Sequence, residues 1–551
     1  MIRSTFFAPL IFVLSMLFGT TAAAQSAAKE QPSIEAQNPS PALRISAPSY
    51  EAELDRDTSA LKHFSLRDER YKKDGKAIDI ITTDKPSYLP LRFELKGVEW
   101  PEKPAWQVKQ LSDRSVRFQY EQDHILVARK IEAGKSPYQL WSTLRVSNFS
   151  QEEKTISLRL GSYHYIPRKD ESGGFIASRS PNLSHAVCSV NGKVEREDRK
   201  ELLKKHSYKG KVRFVATENV YFVNALAPTD PDARHCDLVS SDRGGTKDKP
   251  HGSLFEAYLD YPKHKLAPGE TVIYRTMAYL GPKTPEALRA AGHGMPKVID
   301  LGFFSQLAGY LTRLLSSIHS VVPNWGFAII LLTLFVKLLL FPLTAKSFKS
   351  MARMRLLKPE LDKLTELYKD DKEKRGAATM ELYRKQKINP LGGCLPQLLQ
   401  LPVWWALYTS LSTNVQLYHA NFALWWQDLS APDPFFVLPV ALGALMYFQQ
   451  KLTPSAMDPA QAKMMMYMMP LMMMGFMLFL PSGLCLYILT NSVLSIAQQK
   501  YFEHAALAEA PSEAGSQNKP LHEADKDSDQ VKKAKPNNRR SRRGRTKTAR
   551  T

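Results

Sequence analysis

The 551-residue sequence predicts a polytopic α-helical membrane protein with a large antiparallel β-sandwich domain outside the membrane. The apolar run Val321–Leu343 is long enough to cross a bilayer, which takes roughly 20 apolar residues. Residues 46–295 contain short segments such as SVRFQY and HILVARKI that are rich in β-branched and aromatic residues. Because these strand-like segments follow one another without helical patterns between them, an antiparallel sandwich is favoured over an α/β enzyme.

The order of apolar and charged stretches predicts the remaining architecture. Residues 303–319 have apolar positions at helical spacing and predict an amphipathic helix, either lying in the membrane interface or packed on the β domain. Further spans are predicted at 395–410, 435–450, 464–480 and 484–499, which gives five spans with that at 321–343. Lys/Arg-rich residues 344–393 predict a helical hairpin on the cytoplasmic side.

The two termini are predicted to lie outside the folded domains. Residues 1–24 read either as a cleaved signal peptide or as a first membrane helix, and both deliver the following chain outside the cytoplasm. Residues 25–45 have the composition of a flexible linker. Residues 505–551 predict a disordered basic cytoplasmic tail.

One charge interrupts the first span, and it is the candidate functional residue of the helical region. Lys337 lies four residues after Thr333, so both fall on one helix face. A lysine at the centre of a span costs roughly 2.5 to 3.5 kcal/mol. Either its stem snorkels to the cytoplasmic headgroups, or the charge occupies a hydrated intramembrane cavity. Tyr487 and Asn491 are polar within a later span and are candidate wall residues; the alternative is an ordinary interhelical hydrogen bond.

Five stretches carry a family resemblance: NWGFAIILLTLFVK (324–337), FPLTAKSFKSMARMRLLKPEL (341–361), INPLGGCLPQLLQLP (388–402), FALWWQDLSAPDPFFVLP (422–439) and LPSGLCLYILTNSV (480–493). They closely resemble the YidC membrane-protein insertase family of Gram-negative type. The resemblance implies a periplasmic β-sandwich, a five-helix insertase core, a cytoplasmic hairpin and a hydrophilic groove in the inner membrane. It also implies nascent membrane proteins as substrates, with the chain acting alone or beside the general secretion translocon.

The resemblance adds Gln400 to the groove and supports Thr333 there. It also marks a departure, since the family's groove charge is typically an arginine and this chain has Lys337. A positive charge survives the change, but the planar bidentate fork of a guanidinium does not. A mechanism that needs only a charge in a wet cavity is therefore compatible with the sequence.

Two further groups of basic residues predict binding of anions. The basic face of the hairpin comprises Arg353, Arg355, Lys358 and Lys363. The tail contains a cluster of arginines that we expect to bind ribosomal RNA or, alternatively, anionic lipid. Its members are Arg539, Arg540, Arg542, Arg543 and Arg545.

Other functional classes receive less support. Cys188 and Cys236 lie in a compartment that permits disulfides, and either pair or are two buried thiols. The sequence has no metal-ligand spacing, phosphate-binding loop or nucleophile elbow, so we expect no metal, no cofactor, no small-molecule substrate and no enzymatic activity. The rival functions are a secondary transporter or channel, which would usually show internal repeats, and a sugar-binding enzyme built on the β domain.

Overall fold

The computed structural model describes residues 42–509 apart from 74, 102, 168–183, 200, 204–205, 247–248, 370, 387–390 and 453–458. The predicted N-terminal segment 1–24, the linker up to residue 41 and the five tail arginines lie outside the described residues. The β region begins at Leu43, earlier than the predicted boundary at residue 46, because the alternating side chains of Leu43, Ile45 and Ala47 are buried.

The strands are β1 (Leu43–Ala47), β2 (Tyr50–Leu54), β3 (Leu61–Leu66), β4 (Lys72–Lys73), β5 (Lys76–Ala77), β6 (Phe93–Lys96), β7 (Gln107–Ser112), β8 (Ser115–Gln122), β9 (Ile125–Ala133), β10 (Gln139–Asn148), β11 (Lys154–Pro167), β12 (His185–Val190), β13 (Lys193–Glu197), β14 (His206–Lys209), β15 (Val212–Glu218), β16 (Phe222–Asp230), β17 (His235–Thr246), β18 (Lys249–Asp260), β19 (His264–Leu266) and β20 (Thr271–Pro282).

Two large sheets dominate this region. One has the order β13-β12-β15-β16-β20-β10-β9-β8-β7, and the other β14-β17-β18-β11-β19 with β6 also paired to β11. Neighbouring strands are antiparallel, as in the pairing of Leu140 with Ala278 and of Leu160 with Leu259. Strands β12 and β15 of the first sheet contact β17 and β18 of the second. Fully buried side chains such as Phe214 and Leu238 fill the space between them. The result is a β-sandwich, whose alternating burial matches the period of two of a strand.

A disulfide joins the two sheets. Cys188 lies on β12 of the first sheet and Cys236 on β17 of the second, and their Cα atoms are 6.6 Å apart. Both side chains are fully buried. The bond therefore links the two layers inside the core, a placement that depends on the packing of the sheets.

The C-terminal region is helical, with α1 (Pro285–Ala291), α2 (Ser305–Val321), α3 (Trp325–Leu356), α4 (Lys358–Leu367), α5 (Lys372–Lys385), α6 (Leu391–Ser412), α7 (Val437–Leu452), α8 (Pro459–Met477) and α9 (Ser482–Glu509). Within the described residues, one stretch, Trp325–Ala345 in α3, combines the length and the hydropathy that a membrane crossing needs. The four later predicted spans fall on α6, α7, α8 and α9.

The first span differs from the predicted 321–343 at both ends. Val321 ends α2, because the following segment contains Pro323, which disfavours a helical residue before it. Asn324 then caps α3, since its side-chain oxygen accepts a hydrogen bond from the Phe327 amide at 3.1 Å. At the other end α3 continues to residue 356, so the first arm of the predicted hairpin is a direct extension of the span.

The amphipathic helix predicted at 303–319 corresponds to α2. Its buried residues Leu311 and Leu315 belong to the same apolar cluster as residues of α3, α6 and α9. The hydroxyls of Thr312 and Ser410 are 2.7 Å apart and link α2 to α6. On the opposite side, Tyr310 is 67% exposed. The inner face of α2 thus packs on the helical region, and its outer face is open to the surroundings.

Candidate intramembrane site

The candidate residues of the helical region come from three helices. Lys337 and Thr333 belong to α3, Gln400 to α6, and Tyr487 and Asn491 to α9. The three helices meet around an apolar cluster that includes side chains from each of them. Three of the five candidates, Lys337, Gln400 and Asn491, take part in a hydrogen-bond network between these helices, and Tyr487 lies beside it.

The Lys337 ammonium binds α9 through a serine that the sequence analysis did not select. Its Nζ donates a hydrogen bond to Ser495 Oγ at 2.7 Å. The Ser495 hydroxyl in turn donates to the Asn491 carbonyl of its own helix, also at 2.7 Å. Tyr487, Asn491 and Ser495 follow one another at intervals of four residues, so they form a polar stripe on one face. That spacing was the available signal for Ser495.

The stripe on α9 also contacts α6. Gln400 Nε2 donates a hydrogen bond to Asn491 Oδ1 at 2.9 Å, and Tyr487 lies one turn before Asn491 on the same stripe. The hydrogen bonds therefore run from α3 through Ser495 and Asn491 on α9 to Gln400 on α6. We call these residues, Lys337, Ser495, Asn491, Gln400 and Tyr487, the polar layer.

Thr333 lies on the same face of α3 but is satisfied locally. Its hydroxyl donates to the Ile329 carbonyl at 2.7 Å, and the residue is 1% exposed. Such a bond to the preceding turn is common for threonine in a helix. Thr333 therefore adds a buried hydroxyl beside the polar layer without a described bond to it.

The polar layer is partly buried. Lys337 is 5% exposed and Tyr487 2%, whereas Gln400, Asn491 and Ser495 are half-buried. The Lys337 ammonium contacts Ser495 of α9 inside the helical region. The snorkelling alternative instead predicts an ammonium directed toward the cytoplasmic headgroups. Among the described residues, no carboxylate forms an ion pair with Lys337. A cationic side chain is thus held in apolar surroundings by a neutral hydroxyl.

The loop between α6 and α7 contacts the β domain above this site. The Tyr418 ring lies 5.3 Å from Tyr221 and 5.7 Å from Phe222, measured between ring centroids. Its neighbour His419 stacks on it and places Nδ1 3.1 Å from the Arg70 carbonyl oxygen. We call these contacts the Tyr418 junction, because they connect the β domain to the helical region.

The predicted anion-binding residues are only partly described. Arg353, near the end of α3, and Lys358 and Lys363 of α4 are exposed. The side chain of Arg355 lies outside the described residues, as do the tail arginines. The hairpin residues are therefore accessible to a partner.

One group of side chains in the β domain has the composition of a metal site. His235, Asp237 and Asp260 bring their ligand atoms within 4.8 Å of one another. The guanidinium of Arg159 occupies the same cluster, with nitrogens 2.7 Å from Asp237 and 2.6 Å from Asp260. Burial alone would lower the Arg159 pKa, but bonds to both carboxylates outweigh it and raise that pKa. The two carboxylates are thus neutralised chiefly by the arginine.

A β-sandwich followed by helices, one of them apolar enough to span a membrane and carrying a buried lysine, defines a membrane-embedded protein with a large extramembranous domain. The profile of the YidC periplasmic domain matches residues 42–314, and that of the 60Kd inner membrane protein matches residues 317–509. The chain belongs to the YidC membrane protein insertase family, an inner-membrane family with a periplasmic domain. The family prediction made from the five sequence stretches is therefore confirmed.

Relatives found by sequence support the family assignment. The Membrane protein insertase YidC of Anaeromyxobacter sp. (strain K) is 35% identical over 491 residues, which cover 86% of this chain and 87% of the relative. The protein of the same name from Methylobacillus flagellatus is 47% identical over 255 residues, 46% of each chain.

Solved structures show lower similarity. A crystal structure described as active YidC insertase with the first transmembrane domain resolved is 18% identical, with a TM-score of 0.36, covering 84% of this chain and 94% of that one. A galactose mutarotase-like protein from Lactobacillus casei is 9% identical, with a TM-score of 0.31, covering 44% of this chain and 100% of that one. Because both TM-scores are below 0.5, the family assignment depends on the matching profiles and the sequence relatives.

Proposed function

We propose that this protein inserts nascent membrane proteins into the inner membrane, and assists their folding there, by means of the positive charge in the polar layer. The observation that carries the proposal is the buried Lys337 ammonium, which lies in a helix apolar enough to span a membrane and is bonded to a neutral hydroxyl of α9. Keeping a charge at that depth is expensive, so intramembrane ionisable residues generally mark a functional site. The names of the relatives support the same activity.

The charge attracts acidic residues in the segment that a client must translocate. At about 4 Å and an effective dielectric near 20, two opposite charges attract by roughly 4 kcal/mol. That is enough to recruit a carboxylate and weak enough to release it when the client's apolar helix moves into lipid. The polar layer lines a hydrophilic groove that shortens the apolar distance the client crosses.

The proposed topology has five spans, in α3, α6, α7, α8 and α9. Lys451, Lys463 and Lys500 fall at the ends of these spans on the side that the positive-inside rule makes cytoplasmic. The hairpin formed by α4 and α5 and the C-terminal tail then lie in the cytoplasm. The β domain lies in the periplasm.

The hairpin and the tail supply partners for this activity. Exposed Arg353, Lys358 and Lys363 offer a basic face to an incoming client or targeting factor. The tail arginines fit ribosomal RNA near the exit of the nascent chain, with anionic lipid as the competing ligand. The general secretion translocon is the proposed partner for clients with large periplasmic domains.

The proposed activity involves no bond chemistry, so we infer that the protein is not an enzyme and needs no cofactor. A secondary transporter or channel with a charged midplane site is the alternative function. Such a protein would move a small solute with the polar layer as its binding site, whereas an insertase acts on polypeptides.

The test uses proteoliposomes that contain the purified full-length protein, with empty liposomes as the control. The substrate is a single-span test protein whose short translocated tail carries acidic residues. Protease protection of the tail in the loaded vesicles, and its absence in empty ones, is the expected result. Equal protection in both preparations would overturn the proposal.

A further inference from the structure

We propose that the Ser495 hydroxyl is a stand-in for the client carboxylate: it holds the Lys337 ammonium in the protein without a client and is exchanged for a carboxylate when an acidic segment enters. This inference rests on the proposed function and assigns a positioning role to a residue outside the predicted site. Three features of the polar layer carry it.

The first feature is the direction of the hydrogen bonds at Ser495. A serine hydroxyl has one proton to donate and two lone pairs that accept. The Ser495 proton is committed to the Asn491 carbonyl, 2.7 Å away. The lone pairs are therefore what the hydroxyl presents to Lys337 Nζ, at 2.7 Å. Ser495 thus fills the place of an acceptor oxygen, which is the role of a carboxylate oxygen.

The second feature is the chemistry of the exchange. The helices α3 and α6 contain no Asp or Glu in the sequence, and those of α9, Glu503 and Glu509, lie more than two turns beyond Ser495. The bond from Lys337 to Ser495 has one charged partner, whereas a bond to a carboxylate adds the attraction between two opposite charges. A carboxylate that reaches the ammonium therefore displaces the hydroxyl, which is neutral before and after the exchange.

The third feature is the position of the bond. Lys337 is 5% exposed, whereas Ser495 and Asn491 are half-buried, so the stripe on α9 is the side from which a carboxylate approaches the ammonium. The bond from Lys337 to Ser495 joins α3 to α9, whereas the bond from Gln400 to Asn491 joins α6 to α9. Exchange of the partner thus removes this hydrogen bond between α3 and α9 and leaves the bond between α6 and α9 intact.

The experiment compares wild type, Ser495→Asp and Ser495→Asn, each as full-length protein in proteoliposomes. Asparagine matches aspartate in size and lacks its charge. Two single-span substrates serve as probes, one with Asp and Glu in its translocated tail and one in which these residues are Asn and Gln. Ser495→Asp places a permanent carboxylate beside Lys337 and therefore blocks the exchange.

We expect Ser495→Asp to lower the insertion rate of the acidic-tailed probe by at least about tenfold, equivalent to 1.4 kcal/mol or more. The neutral-tailed probe should lose much less than the acidic-tailed one, and Ser495→Asn should lose less of the acidic-tail rate than Ser495→Asp does. A wild-type rate for Ser495→Asp with the acidic tail would overturn the inference. So would an equal loss in Ser495→Asn, since the effect would then be steric.

The Lys337→Ala variant separates this inference from the proposed function. If Lys337→Ala reduces insertion of the acidic tail while Ser495→Asp does not, the groove charge stands and the stand-in role fails. If Lys337→Ala has no effect, the proposal that the Lys337 charge captures the client is wrong, and the stand-in role of Ser495 is wrong as well.

Discussion

Lys337 of α3 donates a hydrogen bond to Ser495 of α9, with 2.7 Å between Nζ and Oγ. The bond places a buried cation against a neutral acceptor. Because Asn491 of the same stripe also bonds Gln400, the contact belongs to a network that joins three helices. A charge that is bonded but not neutralised remains available to an incoming anion, and this property underlies the proposed mechanism.

The first prediction concerns a buried charge cluster in the β domain. The Glu218 carboxylate lies 2.8 Å from both the Lys283 ammonium and the Arg196 guanidinium. Burial alone would raise the Glu218 pKa, but the two cations outweigh it and hold the pKa below its ordinary value. We expect Glu218→Gln at pH 7 to lower the free energy of unfolding by about 3–5 kcal/mol, because it removes the buried carboxylate that both cations face and leaves the Lys283 ammonium without its ion-pair partner.

The same cluster predicts a pH dependence. Since the folded-state pKa of Glu218 is lowered, its contribution is present above the unfolded value of about 4.3 and is lost as pH falls through the folded value. The stability difference between wild type and Glu218→Gln should therefore shrink below about pH 4. Hydrogen exchange of β15 in the full-length protein measures it. A difference that stays constant between pH 7 and 3 would contradict the prediction, and the exposed Glu152→Gln variant is the control.

The second prediction concerns the disulfide between the sheets. Cys188 and Cys236 are 48 residues apart in sequence, so their bond restricts a long loop of the unfolded chain. We expect the double variant Cys188→Ala, Cys236→Ala to lose roughly 2–4 kcal/mol of unfolding free energy. Faster hydrogen exchange in β12 and β17 would show this loss. The matched control is Cys485→Ala, which removes a free buried cysteine of α9; an equal effect on β12 would speak against the account.

The third prediction concerns the Tyr418 junction. Tyr418→Ala removes the ring that packs against Tyr221 and Phe222 of the β domain. Each aromatic pair contributes roughly 0.5–1.5 kcal/mol beyond its buried area. We expect faster hydrogen exchange at residues 219–224 in Tyr418→Ala and near-normal exchange in Tyr418→Phe. Unchanged exchange in both variants would mean that the contact does not hold the β domain.

The sequence was sufficient to predict the helical segments of the C-terminal region. The stretch Trp325–Ala345 is apolar over a length that few soluble structures use, so hydropathy alone indicates a helix there. The start of α3 was missed, because it depends on the local effects of Pro323 and the Asn324 cap. Hydropathy averaged over a window of residues hides the effect of Pro323 and Asn324, because they are only two residues at the edge of a long apolar run.

Contacts between distant elements were harder to predict. Ser495 was missed because a serine in an apolar helix usually bonds its own backbone, and its partner across the gap depends on how α3 and α9 pack. Strand positions followed from alternation, but the placement of Cys188 and Cys236 in different sheets depends on the strand order. Both features are set by tertiary packing, which a single sequence does not display.

The most direct test of the central claim is a charge exchange between the protein and its client. Insertion is measured for wild type, Lys337→Arg and Lys337→Glu in proteoliposomes, with one probe carrying an acidic tail and one carrying a lysine-containing tail of equal length. If attraction between opposite charges drives capture, Lys337→Arg inserts the acidic tail as wild type does. Lys337→Glu then inserts the acidic-tailed probe at least about tenfold more slowly than wild type and inserts the lysine-containing probe faster. If Lys337→Glu inserts both tails as wild type does, the charge of residue 337 plays no part in insertion and the account is wrong.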